Sequence, residues 1–288
     1  MRIVSGPYGL TWRDFADRVW IATQQDDIFG LAAQLSYYFL LAVFPFFLFL
    51  TTLLGLLAKT GTEIYGNLLS NAALLLPDSA FQLVVTTLAE IQKGAGGAKL
   101  GFGIVAALWA SSSGMLAMIE GLNRAYEVKV SRPWWRERLI SIGFTIFLSG
   151  FLIVSIVLVL YGSHIAEAIA RYFGLSEIFT FFWNLFQWPV ALLFVLLALG
   201  LLYRYAPNTS RGRWHEMVPG AFAGMMLWLV VSLLFRLYLQ FFNSYNKTYG
   251  SLGAVIVLML WLNLSSAAIL VGAEVNAVLS KASSASRK

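Results

Sequence analysis

The chain has 288 residues, of which 59% are hydrophobic and 12% are charged, and its mean hydropathy is +0.74. This composition excludes an ordinary soluble domain and is typical of helical membrane proteins with several spans. The sequence has no cysteine and only two histidines, so disulfides are excluded and a metal site is not expected. We therefore predict one membrane domain over residues 1–288, with no cofactor and no metal.

The first helical pattern covers residues 11–25, where apolar side chains recur at helical spacing between charged ones. Thr11 and Asp14 have the spacing of a capping box, which predicts that a helix begins there. Because its other faces are charged, we expect this helix to lie in the membrane interface rather than to cross the bilayer.

Six later stretches are long and apolar enough to cross a bilayer, since about 20 helical residues match the thickness of its hydrocarbon core. They cover residues 31–58, 101–119, 139–161, 182–203, 217–240 and 252–279. Pro45 predicts a kink inside the first span, because proline removes a backbone hydrogen bond. Gly220 and Gly224 form a small-xxx-small pair, a weak signal of close helix packing. The predicted fold is an all-α integral membrane protein with six transmembrane helices.

The longest connection covers residues 59–100. It contains two apolar patterns of helical period on either side of Pro77 and Asp78, which predicts two amphipathic helices.

Fourteen of the twenty Lys and Arg residues lie at the termini and in the loops after the second and fourth spans. The positive-inside rule therefore predicts that both termini are cytoplasmic and that residues 59–100 are external. Since topology explains the net charge of +6, nucleic acid is not an expected partner.

Polar side chains form a stripe along one face of the second span and another along the sixth. In the second span, Ser113, Glu120 and Arg124 are seven and four residues apart, so they share a helical face. Such a stripe is costly against lipid, so we expect it to face a bundle or a cavity. Both stripes are predicted to end near the cytoplasmic surface, beside polar residues of the first and fourth spans.

We therefore predict a polar vestibule that opens to the cytoplasmic leaflet. Its candidate residues are Gln34, Tyr37, Ser113, Glu120, Asn123, Arg124, Arg204, Asn208, Asn263, Glu274 and Asn276. The alternative is that these residues are interfacial and pair with one another, as Glu120 and Arg124 would at a spacing of four. On the external side, Arg236 and Tyr249 mark a candidate exit, and the alternative is that Arg236 snorkels to the outer surface.

Several short motifs together resemble those of a known family. They are AAQLSYYFLLAVFPF at 32–46, WASSSG at 109–114, EGLN at 120–123, RP at 132–133, YRYAPN at 203–208, PGA at 219–221, YGSLGA at 249–254 and GAEVN at 272–276. On these motifs the chain resembles the YihY/virulence factor BrkB family of bacterial inner-membrane proteins, formerly mislabelled ribonuclease BN. The resemblance implies a six-span fold in the bacterial inner membrane. It implies no settled activity, although movement of lipids and export of small amphiphiles have been proposed for the family.

The residues favour transport over catalysis. Phosphodiester hydrolysis needs clustered carboxylates or histidines, and the acidic residues here have no metal-ligand spacing. The segment GAGGAK at 94–99 also lacks the spacing of a nucleotide-binding loop. We therefore expect no enzyme and no ribonuclease.

The leading hypothesis is an inner-membrane transport protein that moves a lipid or another anionic amphiphile. Arg124 and Arg204 would meet the headgroup, while Glu120 and Glu274 would position the arginines or carry a proton. One alternative is a proton-coupled exporter of a small solute. Another is a scaffold that anchors a periplasmic envelope partner through residues 59–100. Membrane lipids are the expected partners, and the sequence does not predict an oligomeric state.

Overall fold

In the computed structural model, the residues described are 11–57, 85–86, 97–128, 132–173, 177–208, 214–241 and 251–286. Their helices are α1 (Trp12–Gln25), α2 (Ile28–Leu57), α3 (Gly97–Ala125), α4 (Trp134–Phe173), α5 (Glu177–Tyr205), α6 (Trp214–Phe241) and α7 (Ser251–Ser286). The prediction of an all-α fold is confirmed in these ranges. Nearly all of the predicted external loop, residues 59–100, lies outside the described residues.

Within the described residues, three helical segments are long and apolar enough to cross a membrane. They are Val105–Ala125, Glu216–Gln240 and Val255–Ser284. Two shorter apolar segments, Ile28–Ala42 and Pro189–Tyr205, lie in the predicted first and fourth spans. The protein therefore has the helices of a membrane protein, while the count of six spans and the cytoplasmic termini stay predictions.

Helix α1 begins at the predicted capping residue. Thr11 Oγ1 accepts the Asp14 N–H at 3.1 Å, and its hydroxyl donates to the Asp14 carboxylate at 2.6 Å. The turn from α1 to α2 passes through Asp26 and then Asp27, whose φ is 50°. Aspartate adopts this left-handed conformation more readily than most residues, and Asp27 Oδ1 then accepts the Gly30 N–H at 3.3 Å. Local sequence chemistry therefore fixes both the start of α1 and its junction with α2.

The long helices pack in a closed ring. Contacts run in chain order from α2 through α3, α4, α5 and α6 to α7, and α7 also contacts α2 and α3. Helix α1 lies against α7 and α2. The buried core includes Ile28, Leu35, Met118, Ile119, Leu122, Tyr203 and Leu270. The predicted second and sixth spans therefore touch each other, and Gly121 of α3 faces Leu270 of α7.

Helices α6 and α7 approach each other closely at three glycines. A Cβ on Gly272 would lie 2.7 Å from the Gly220 carbonyl oxygen and 2.9 Å from Gly224 Cα. A Cβ on Gly224 would lie 2.8 Å from the Tyr203 hydroxyl, which itself donates to the Ile269 carbonyl at 2.6 Å. Since no real Cβ tolerates such distances, this packing requires glycine at these positions. The small-xxx-small pair in α6 is thus a contact surface, and its partner is Gly272.

Candidate functional site

Gln34, Glu120 and Arg124 line one small cavity between α2 and α3. Its volume is about 90 Å³, and its remaining walls are apolar. Among the described residues, the one ion pair joins Lys281 to Glu127, at 2.9 Å. Glu120 and Arg124 therefore share this cavity without forming the ion pair that their spacing allows.

Other vestibule candidates take part in helix packing. Asn276 is 1% exposed, and its Oδ1 accepts the Gly220 N–H at 2.7 Å. Its Nδ2 donates to the Met217 carbonyl at 3.1 Å and to Tyr126 Oη at 3.3 Å. Burial raises the pKa of the Tyr126 phenol, so this hydroxyl stays neutral. Asn123 is also buried, and its Oδ1 accepts the backbone N–H of Asn208 at 2.7 Å. These amides join α7 to α6, and α3 to the end of α5.

Ser113 accepts a hydrogen bond from Arg138 of α4. Arg138 Nη1 donates to Ser113 Oγ at 3.2 Å, Nη2 donates to the Trp109 carbonyl, and the guanidinium lies 4.1 Å from the Trp109 ring centroid. The polar face of α3 is thus partly satisfied by an arginine of the next helix. Sequence reasoning assigned Arg138 to a cytoplasmic loop and missed this contact.

A much larger cavity lies between α4 and α5, with a volume of about 500 Å³. Its lining residues are Arg132, Ile140, Gly143, Phe144, Phe147, Leu201, Arg204, Tyr205 and Pro207. The wall is mostly apolar, and its charged groups are the two arginines at one end. A Cβ on Gly143 would meet nothing within 4 Å, so the α4 side of the cavity is open at this position.

Arg204 lines this cavity and has donors that lack a hydrogen-bond partner. Its guanidinium lies 4.9 Å from the Trp214 ring centroid and 5.3 Å from that of Tyr205. At these distances the aromatic rings attract the positive charge of the guanidinium, and a cation–π contact of this kind needs no hydrogen bond from its N–H donors. Nε and Nη1 of Arg204 are buried and have no hydrogen-bond partner among the described residues. An arginine in this state is suited to bind an anion.

Arg132 has a different role at the same end of the cavity. Its Nη1 donates to the Ala206 carbonyl at 3.1 Å and its Nη2 to the Pro207 carbonyl at 3.0 Å. These bonds satisfy backbone carbonyls that follow the last turn of α5. Arg132 therefore holds the segment after α5 against the start of α4, and Arg204 is the arginine that keeps free donors.

The remaining predicted site residues lie apart from both cavities. Tyr37 is 52% exposed and packs edge to face on Tyr38, with ring centroids 5.8 Å apart. Asn263 is half-buried on α7, and Arg236 is exposed on α6. Pro45 lies within α2, but its side chain and the whole of Tyr249 are outside the described residues. In the described part of the chain, no group of three His, Asp or Glu side chains is placed to hold a metal ion.

Known proteins are similar to this chain over most of its length. A family model described as virulence factor BrkB matches residues 19–288. A putative ribonuclease-like protein, YfkH, from Bacillus subtilis is 37% identical over 250 residues, which are 87% of this chain and 89% of that protein.

Other relatives are named as membrane proteins of the UPF0761 group. One from Laribacter hongkongensis is 25% identical over 265 residues, which are 91% of this chain and 60% of that protein. One from Pseudoalteromonas translucida is 29% identical over 166 residues, or 55% of this chain and 51% of that protein. The chain therefore matches only 60% and 51% of the lengths of these two relatives. No solved structure matches the chain.

Proposed function

This chain belongs to the virulence factor BrkB family of membrane proteins, and we propose that it transports a membrane lipid or another anionic amphiphile. The headgroup would bind in the cavity between α4 and α5. The observation that carries the proposal is Arg204, which lines a cavity of about 500 Å³ and whose buried Nε and Nη1 lack hydrogen-bond partners among the described residues.

The charge and the donor geometry of Arg204 favour a phosphate or carboxylate ligand. A guanidinium donates two parallel hydrogen bonds to such groups, and charge-assisted bonds of this kind are roughly twice as strong as neutral ones. Cation–π contacts with Trp214 and Tyr205 restrain the guanidinium, so less side-chain freedom is lost when the anion binds. Arg132 adds positive charge at the same end, although its Nη1 and Nη2 already donate to backbone carbonyls.

The rest of the cavity suits an apolar ligand portion. Its apolar wall is formed by Ile140, Phe144, Phe147 and Leu201, and Phe147 is 41% exposed. Ligand cavities of about 300–1,000 Å³ are usual for small molecules, so the volume is sufficient for a headgroup with the first part of its acyl chains. The remaining acyl length could stay in the bilayer.

This proposal places the anion at Arg204 and leaves Arg124 out of the binding site. The cavity beside Arg124 has about 90 Å³, which is room for about three water molecules at roughly 30 Å³ each. Arg124 and Arg204 also line separate cavities, so a headgroup in the larger cavity meets Arg204, beside Arg132, and does not meet Arg124. The expected cytoplasmic position of this end of the molecule still derives from the charge distribution of the loops.

Native mass spectrometry of protein released from lipid nanodiscs tests the binding step. Arg204→Ala removes the free donors, and Gly143→Trp fills the cavity without changing charge. Arg136→Ala is the matched control, because Arg136 is an exposed arginine near the same end of α4 and does not line the cavity. We expect wild type and Arg136→Ala to retain an anionic phospholipid and both cavity variants to lose most of it.

Transport is then measured in vesicles as protein-dependent movement of a fluorescent anionic phospholipid between leaflets. The same two cavity variants should slow this movement while Arg136→Ala matches wild type. Equal lipid retention by all four proteins would refute headgroup binding at Arg204. If the lipid is retained but is not moved between leaflets, it is a structural ligand. That result would favour small-solute export or scaffolding as the function.

A further inference from the structure

Glu274 is the most enclosed carboxyl group among the described residues. It lies on α7, its side chain is 1% exposed, and its Oε1 has no hydrogen-bond partner. An ionised carboxylate is strongly disfavoured in such a place, because burial removes its hydration and nothing donates to the oxygen in exchange. The group therefore requires either a donor or a proton.

The group that reaches Glu274 is another carboxyl. Asp26, the C-cap residue of α1, is at hydrogen-bonding distance from the Glu274 side chain, and α1 packs on α7. Two ionised carboxylates can only accept hydrogen bonds, so a bond between them exists only when one of them carries a proton. Protonation of Glu274 supplies a donor for Asp26 and removes the buried charge in one step.

The other ionisable neighbours do not supply the missing positive charge. Within the described ranges, Lys281 is the one cation near Glu274, and it is already paired with Glu127 at 2.9 Å in an exposed position. Tyr126 at the end of α3 is neutral, and on the α6 side the recorded partners of this part of α7 are Gly220 and Met217. Since Lys281 and Glu127 largely cancel each other, a second negative charge at Glu274 would stay unbalanced.

We propose that Asp26 and Glu274 form a proton-binding site that joins α1 to α7 through one shared proton. Glu274, the more buried member, carries the proton and donates it to the Asp26 carboxylate. The ligand is a proton, and the site is separate from the cavity at Arg204. The proposal therefore stands whether or not that cavity binds a lipid.

The pH dependence of helix docking follows from this site. When α1 is docked, the pair holds a proton, whereas an exposed glutamate loses its proton near pH ~4. The docked state thus binds more protons, so its stability is complete at low pH and declines as the pH rises until the pair itself ionises. Two negative charges then face each other between α1 and α7, and α1 loosens.

Infrared spectroscopy of the protein in nanodiscs detects the proton directly. A protonated carboxyl group has a C=O band that is absent from a carboxylate and that shifts in D₂O. We expect wild type to show this band at neutral pH and to lose it on alkaline titration. Glu274→Gln should abolish the band, and so should Asp26→Asn, because the new amide donates to Glu274 and removes its need for a proton. Asp17→Asn, an exposed change on α1, should leave the band unchanged.

Hydrogen exchange supplies an independent readout of docking. Exchange in residues 12–25, normalised to α6 in the same sample, should rise by about tenfold or more in wild type between pH ~4, where an exposed glutamate ionises, and the pH at which the band disappears. Asp26→Asn and Glu274→Gln keep a donor between the helices, so both should fold and lose this pH response. A band that persists in Glu274→Gln would overturn the proposal. If exchange in α1 rises with pH equally in wild type and in both amide variants, the carboxyl pair does not control the docking of α1.

Discussion

Asn276→Ala tests the joint between α6 and α7 most directly. The substitution removes the three hydrogen bonds that Asn276 makes with Gly220, Met217 and Tyr126. Side-chain hydrogen bonds inside membrane proteins contribute about 0.6 kcal/mol each on average, so three contribute roughly 2 kcal/mol. Buried groups left without their partner add a cost on the order of 1 kcal/mol. We therefore expect the free energy of unfolding to fall by about 3 kcal/mol, or roughly 100-fold in the folding equilibrium.

The assay is reversible unfolding in mixed micelles, followed by circular dichroism as the denaturing detergent fraction rises. Asn263→Ala is the matched control, since Asn263 is a half-buried asparagine of the same helix with no recorded hydrogen bond in the described structure. Its cost should stay within about 0.5 kcal/mol, as for most substitutions away from special contacts. If the two variants lose equal stability, the interhelical hydrogen bonds of Asn276 are not what holds α7 to α6.

Three further substitutions probe other parts of the fold. Gly272→Val should disrupt the contact of α7 with α6 and lower the melting temperature strongly, whereas Gly150→Val, where an added Cβ meets nothing within 4 Å, should leave it nearly unchanged. Thr11→Ala should cost about 1 kcal/mol locally, seen as faster hydrogen exchange at the start of α1 with no change in global melting. Arg132→Lys should speed exchange in residues 201–208, because a lysine cannot reproduce the paired donors to two carbonyls, while Arg136→Lys should not. Unchanged exchange in Arg132→Lys would show that this clamp is dispensable.

Features that depend on near neighbours in the chain are predictable from the sequence. Thr11 and Asp14 fix the start of α1 through bonds across three residues, and the apolar stretches predict the start of each later helix to within about five residues. The ends agree less well, because α3 continues to Ala125 past residue 119, α4 to Phe173 past residue 161, and α7 to Ser286 past residue 279. Hydropathy marks the apolar part of a helix, and a helix can continue beyond it.

The meeting of helix faces is not predictable in the same way. Glu120, Arg124 and Arg204 are all polar groups at the predicted cytoplasmic ends of spans, yet the structure places the first two in one cavity and Arg204 in another. Which of these residues share a cavity depends on which helices are neighbours in the ring. A single sequence does not reveal which helices are neighbours. Asn276 illustrates the same point, since its polarity predicts a site residue but does not predict its hydrogen bonds to Gly220, Met217 and Tyr126.

One consequence of the glycine contact concerns how the protein could change shape. Gly220, Gly224 and Gly272 bring two backbones so close that neither helix can slide or roll on the other without atoms colliding. We therefore expect α6 and α7 to move together as one body. The cavity beside Arg204 lies outside that body, between α4 and α5. If access to the cavity alternates between the two sides of the membrane during transport, we expect α4 and α5 to move relative to α6 and α7. The hinge of this movement would lie where Arg132 donates hydrogen bonds to the carbonyls that follow α5.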